Sequence, residues 1–80
     1  MEELRAEFGR LYLDSRRDGG RVVTVHLFGI AHADQLRGEN LPNFCIGAGV
    51  PVSFATELRK GMSLARYVEL TPQGLEFLAA

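Results

Sequence analysis

The clearest pattern of hydrophobic and polar positions lies at the start of the chain. Four apolar residues recur there at helical spacing and form one stripe: Leu4, Phe8, Leu11 and Tyr12. Glutamates fall in the first two turns, and Arg16 and Arg17 close the segment, so the charges complement the helix dipole at both ends. We therefore predict a helix over residues 2–17, ended by Asp18-Gly19-Gly20.

The segment from residue 21 to 38 carries two patterns. Val22-Val23-Thr24-Val25 is β-branched and in isolation favours a strand. From Thr24 onward a helix fits as well, because three apolar residues share one helical face: Leu27, Ile30 and Ala31. We predict an extended stretch over 21–23 and a helix over 25–37 that Gly38 ends, and the choice between strand and helix for 21–25 stays open.

Two residues mark the start of the next helix. Asn40 suits an N-cap, and Pro42 lies in the first turn, where its missing N–H does no harm. We predict a helix over residues 41–48, and Gly49 breaks it.

A further helix is predicted over residues 54–60, with Ser53 as its cap and Gly61 as its end. The short β-prone run that follows predicts a strand over residues 66–70. Thr71-Pro72 then repeats the signal of a capping residue before proline, which predicts a terminal helical turn over residues 73–78.

Composition narrows the function classes. Hydrophobic residues make up 46% of the 80 residues and charged residues 24%, which is ordinary globular usage and not that of a disordered tail. Nine Lys+Arg against ten Asp+Glu give a net charge of −1, so the chain has no strong overall field. No apolar run is long enough to span a bilayer, and the charged start does not have the pattern of a signal peptide. With one cysteine, we expect a single cytoplasmic domain over residues 1–80.

Residues 41–60 predict two short helices joined by a tight turn, and the residue types meet the packing needs of that arrangement. The first helix needs small residues where the second crosses it, and Cys45 and Ala48 are small. Gly49 tolerates a positive φ in the turn, and Val50 supplies the aliphatic residue that enters the core. The second helix then offers its inward positions at helical spacing: Phe54 or Ala55, with Leu58.

This pattern resembles the bacterial helix-turn-helix family. The matching positions are the small residue, the turn, the core residue and the inward positions: Cys45, Gly49, Val50, Ala55 and Leu58. Arg66–Leu75 also looks like the closing segment of many winged-helix proteins, although no long wing hairpin fits between Lys60 and Arg66. The resemblance covers about residues 41–75. It implies a mainly α fold, a small three- to four-helix bundle with a helix-turn-helix and at most a short strand pair.

By this resemblance, Phe54–Lys60 is the recognition helix in the major groove of DNA. The candidate contacts are outward polar residues of the second helix and the segment after it: Ser53, Thr56, Glu57, Arg59, Lys60 and Arg66. Glu57 would accept a hydrogen bond from cytosine N4 or exclude other sequences. Over residues 53–68 three basic residues outnumber this single acid, so basic charge is mildly concentrated there.

The three cations of residues 53–68 would neutralise few phosphates. We therefore predict that duplex binding requires a homodimer on a palindromic site. The two recognition helices would then lie about 34 Å apart. The resulting hypothesis is a small bacterial transcriptional regulator that needs no cofactor and no small-molecule ligand and has no contact with a membrane.

Other candidate chemistry is weaker. His26 and His32 do not share a helical face, and only Asp34 and Cys45 lie near enough in sequence to complete a metal site, so no metal is expected. Cys45 lies between Phe44 and Ile46, which favours a buried small residue over a nucleophile. No acid–base pair of sensible spacing is found, and we expect no enzymatic activity.

A second hypothesis assumes the same helix-turn-helix fold but a protein partner in place of DNA. The near-neutral charge and the missing wing also fit an accessory or phage-encoded protein-interaction module that does not bind DNA. Such a module would use the exposed face of the first helix and the C-terminal segment.

Overall fold

The computed structural model describes residues 1–15 and 20–79, and over those ranges the chain forms six helices and no strand. In chain order they are α1 (Glu2–Asp14), α2 (Arg21–Ala31), α3 (Ala33–Leu36), α4 (Leu41–Ala48), α5 (Phe54–Leu64) and α6 (Pro72–Ala79). The prediction of a small, mainly α bundle is confirmed. The predicted last turn of the first helix, Arg16-Arg17, and its stop at Asp18-Gly19 lie outside the described residues.

Three phenylalanines, one each from α1, α2 and α4, form the centre of the core. The ring of Phe8 lies 4.7 Å from that of Phe28 and 5.4 Å from that of Phe44, measured between centroids. Tyr12 meets Phe54 of α5 edge-on at 5.3 Å. The stripe predicted for the first helix is confirmed, because all its members are buried: Leu4, Phe8, Leu11 and Tyr12.

The backbones of α2 and α5 touch at two glycines, and α5 packs more extensively on α2 than on any other helix. A Cβ atom added at Gly29 would lie 2.6 Å from the carbonyl oxygen of Leu58 and 3.0 Å from the amide nitrogen of Met62. A Cβ atom at Gly61 would collide with the carbonyl oxygen of His26. At each glycine the added Cβ atom would lie closer to backbone atoms than van der Waals contact allows, so each helix accepts only glycine at this crossing.

This contact corrects the predicted bounds of the second helix of the helix-turn-helix. The predicted end at Gly61 is wrong, because α5 continues through that residue to Leu64. Gly61 allows α2 to pack closely against α5, and it does not end α5. Ser53 occupies the predicted N-cap position of α5, but its side chain makes no capping hydrogen bond and its backbone is already helical (φ −60°, ψ −22°).

The extended stretch predicted over 21–23 is wrong as well, because α2 begins at Arg21. Val25 and Phe28 are fully buried whereas Val22 and Val23 are exposed, which is helical spacing. A valine costs a helix only about 0.5 kcal/mol, much less than core burial of apolar side chains contributes, so packing overrides the β propensity.

The predicted continuous helix over 25–37 is interrupted. At His32 the backbone leaves helical geometry (φ −118°, ψ 23°), and α3 starts one residue later. The redirected chain buries Leu36 almost completely. Gly38 then takes the predicted left-handed conformation, with φ +84°.

The remaining cap signals are confirmed. The amide of Asn43 donates to Asn40 Oδ1 at 3.0 Å, and Gly49 ends α4 in the left-handed region with φ +77°. The amide of Gly74 donates to Thr71 Oγ1 at 3.1 Å at the start of α6.

The predicted strand over 66–70 is wrong. The amides of Tyr67 and Val68 both donate to the carbonyl oxygen of Leu64, at 2.9 and 3.1 Å, so the segment continues as a turn from the end of α5. A strand requires a neighbouring strand for its ladder, and the described part of the chain contains none.

Gly29→Ala and Gly61→Ala should each lower the free energy of unfolding by about 1–3 kcal/mol, because the added methyl group meets backbone atoms that cannot move aside. The expected gain in helix propensity, about 1 kcal/mol, is too small to offset this. Urea unfolding followed by circular dichroism measures both effects.

Gly74→Ala is the matched control, because it also replaces a helical glycine but its new Cβ would be 3.5 Å or more from its neighbours. This variant should be as stable as the wild type or more so. Equal stability of all three variants would contradict the close helix contact.

Candidate nucleic-acid interface

The helices α4 and α5 and the turn between them form the predicted helix-turn-helix. The amide of Val50 donates to the carbonyl oxygen of Cys45 at 2.9 Å, which closes the turn around Gly49. Val50 and Cys45 are buried, as predicted. Burial also raises the pKa of the Cys45 thiol above its ordinary value, which disfavours the thiolate that nucleophilic chemistry needs. Ala48 contacts α1, because its carbonyl oxygen lies directly against Gly9.

The two faces of α5 differ sharply. Its inner face is buried through Ala55, Leu58 and Gly61. Its outer face is exposed and polar, and we call it the outer α5 face: Thr56, Arg59, Lys60 and Ser63. Ser53 is exposed just before this helix and Arg66 just after it. Sequence reasoning missed Ser63 because it ended the helix at residue 60, whereas α5 continues to Leu64.

Among the candidate contacts, Glu57 is in a different environment. Its carboxylate is half-buried and faces α2, with Oε1 2.7 Å from His26 Nε2. Its other oxygen lies 3.4 Å from Lys60 Nζ. The hydrogen bond with His26, helped by Lys60, lowers the pKa of Glu57 below its ordinary value. The carboxylate therefore ties α2 to α5 and holds Lys60 at the edge of the outer α5 face.

On one flank of the outer α5 face lies an open groove of about 200 Å³ between α3 and α5, which we call the arginine groove. Its lining includes three basic residues from separate segments: Arg37, Arg59 and Arg66. Sequence reasoning did not select Arg37 as a candidate contact, because Arg37 is the last residue of the predicted helix over 25–37 and basic residues are common at helix ends. No local signal links it to Arg59, because only the tertiary fold joins the two.

Beside the outer α5 face lies an apolar flank formed by Leu64 and Tyr67, which are 44% and 78% exposed. They share a shallow depression with five other residues: His26, Thr56, Arg59, Lys60 and Ser63. Arg59 and Ser63 also line the arginine groove, and the guanidinium carbon of Arg66 lies 5.9 Å from the centre of the Tyr67 ring, so the basic and apolar surfaces adjoin.

Each histidine ring has a polar partner. His26 pairs with Glu57, and His32 Nδ1 lies 2.7 Å from Gln35 Oε1. Within residues 1–15 and 20–79, no group of three or more His, Cys, Asp or Glu side chains is arranged to share a metal ion. In the same ranges no helix combines the length and apolar character that crossing a membrane requires.

Glu57→Gln should make stability less sensitive to acid. Because the pKa of Glu57 is lowered in the folded protein, its carboxylate contributes stability above the unfolded pKa of about 4.3, and that contribution is lost as the pH falls through the folded pKa. Urea unfolding at neutral and acid pH should show that the deficit of this variant relative to wild type shrinks on acidification.

Glu39→Gln, at an exposed position between α3 and α4, is the matched charge control. A deficit for Glu57→Gln that stays constant down to acid pH would show that its carboxylate is not the titrating group.

Comparison with known proteins agrees with this geometry. The family described as HTH-like domain matches residues 2–71, which covers α1 to α5 and the segment after them. Searches of curated proteins and of solved structures gave no significant match. A match over most of the chain, together with the α4–turn–α5 arrangement, shows that the protein belongs to the HTH-like domain family.

Proposed function

We propose that the protein binds duplex DNA with the outer α5 face in the major groove and acts as a transcriptional regulator of bacterial type. The observation that supports this most directly is the contrast between the two faces of α5. One face is buried in the core, and the other exposes hydroxyl groups and cations to solvent. Membership in the HTH-like domain family supports the same proposal.

The side chains of this surface suit both kinds of DNA contact. The major groove, about 12 Å wide, admits one helix, and its base edges present donors and acceptors that Thr56 and Ser63 would match, whereas Arg59 would reach a phosphate at its border. Lys60 and Arg66 lie toward the edges, where phosphates of the two strands would pass. Ser53, exposed before the first turn of α5, completes the set.

Glu57 has a supporting role in this proposal. Its carboxylate holds the Lys60 ammonium group 3.4 Å away and carries one acceptor charge to the edge of the surface. Its Oε2 atom, beside Lys60, would accept a hydrogen bond from cytosine N4 when the matching base lies opposite, or its charge would exclude other sequences.

The small number of cations supports a homodimer on a palindromic site. The three basic residues within residues 53–68 give weak binding, and a two-fold symmetric pair doubles the number of phosphates neutralised. Such a pair would space its recognition helices about 34 Å apart, one turn of DNA.

Arg59→Gln should weaken binding to a random-sequence duplex about fivefold and lower the steepness of its salt dependence by about one unit per protomer, because a phosphate or base contact is lost. Fluorescence anisotropy between about 50 and 200 mM salt measures both quantities. Arg10→Gln is the matched control, since Arg10 is an exposed arginine on α1 whose ion pair, among the residues that the structure describes, is with Asp14 of the same helix.

Removal of both Arg59 and Lys60 should weaken binding further. If the double variant bound genomic fragments as tightly as the wild type, α5 would not be the reading helix.

The homodimer predicts two protomers per palindromic site. Sedimentation of the protein with a duplex selected from a random pool should give complexes of that stoichiometry, and selected sequences should contain inverted half-sites about one turn apart. Complexes with one protomer on asymmetric sites would contradict the dimer and leave DNA binding intact.

A protein-interaction module is the second candidate, and the apolar flank of the outer α5 face favours it. Exposed Leu64 and Tyr67 are typical of a protein contact rather than a phosphate contact. Weak duplex binding that does not change with salt, in both wild type and Arg59→Gln, would favour this candidate over DNA binding.

A further inference from the structure

We propose that Arg37 joins Arg59 and Arg66 to bind a backbone phosphate of duplex DNA in the arginine groove, and that it thereby fixes the register of the protein on DNA. This inference rests on the proposed function and adds a contact from outside the helix-turn-helix. The site takes a phosphodiester group of the strand that borders the major groove.

The three arginines converge from separate parts of the chain. Arg37 follows α3, Arg59 lies in the middle of α5, and Arg66 follows α5. All three line the groove, with Ala33 and Met62 as small and apolar wall residues. A groove bordered by three guanidinium groups offers many N–H donors in the planar arrangement that suits phosphate oxygens.

The local charge favours an anion. Among the described residues that line the groove, none is acidic. Asp34 and Glu69 instead line the neighbouring cavity, which is shared with Arg37 and Arg66. Asp34 does bind Arg37, with Oδ1 2.9 Å from one terminal nitrogen, but both side chains are exposed, so this ion pair is weak. The bond to Asp34 uses one terminal nitrogen of Arg37, and the other donors of the guanidinium group would bind the phosphate.

The position of the groove indicates DNA rather than a small free anion. Arg59 and Ser63 belong both to the outer α5 face and to the lining of the groove. A strand that borders the major groove occupied by α5 therefore passes over the groove, and its phosphates come within reach of Arg37.

The backbone holds Arg37 in place. The preceding Leu36 is buried, the following Gly38 takes φ +84°, and Asn40 then caps α4. The backbone of Arg37 is thus fixed between an anchored side chain and the start of a helix, which limits the backbone entropy that binding would cost. A phosphate contact from a rigid support sets the orientation of the reading helix.

The test compares single variants of the whole chain on one probe, a labelled random-sequence duplex, at several salt concentrations. Arg37→Gln should bind about fivefold more weakly than wild type and lose about one unit of salt dependence per protomer. Arg10→Gln removes the same charge from an equally local ion pair on α1 and should change neither quantity appreciably. Asp34→Asn should strengthen binding, because it releases Arg37 and removes an adjacent negative charge.

The outcomes separate this inference from the proposed function. If Arg59→Gln weakens binding while Arg37→Gln equals Arg10→Gln, the phosphate contact is refuted and DNA binding by α5 stands. If the wild type does not bind the duplex, both proposals fail. Opposite effects of Arg37→Gln and Asp34→Asn support the site, since loss of folding would weaken binding in both. Inorganic phosphate that protected the protein from thermal unfolding without affecting duplex binding would overturn the DNA assignment in favour of a free anion.

Discussion

The direct backbone contact between α2 and α5 determines how the candidate site is presented. With glycine at positions 29 and 61, the two helices approach until main-chain atoms touch, and neither helix can rotate or slide without a collision. A helix that is fixed in rotation has a fixed outer face. Arg59 and Lys60 therefore face solvent as a consequence of a contact on the opposite side of α5, made by residues without side chains.

A second link between α2 and α5 lies at the edge of this contact. His26 provides both the carbonyl oxygen that faces Gly61 and the ring that binds Glu57. The same residue thus takes part in the close packing and in the polar link that orients Lys60 through Glu57. A substitution at His26 would remove the ring that binds Glu57 and keep the carbonyl oxygen that faces Gly61, so it would change the charge pattern that α5 displays while the close backbone contact remains.

Local signals in the sequence predicted much of the fold, and signals with a tertiary meaning were misread. The Asn40 cap and the Gly49 turn depend on neighbours within a few residues, and both are confirmed. Glycine is ambiguous, because the missing Cβ serves a helix end and a close helix contact equally well. Gly61 was assigned to the first role and has the second. The β-prone residues after α5 were misread for a related reason, since propensity does not tell whether a partner strand exists. Arg37 could not be found at all, because its proximity to Arg59 arises from packing of α3 on α5.

The net charge of −1 argues less against DNA binding than it first suggests. At physiological ionic strength, exposed charges are screened over about 8 Å, whereas the molecule measures 29 × 28 × 21 Å. Exposed acids on distant surfaces therefore contribute little to the potential at the outer α5 face, and the local arrangement of charge decides what binds there. Locally the fold brings Arg37, together with its exposed partner Asp34, beside Arg59 and Arg66, so guanidinium groups that are distant in the sequence border one groove. Tertiary structure thus gives a nearly neutral chain a groove bordered by three arginines.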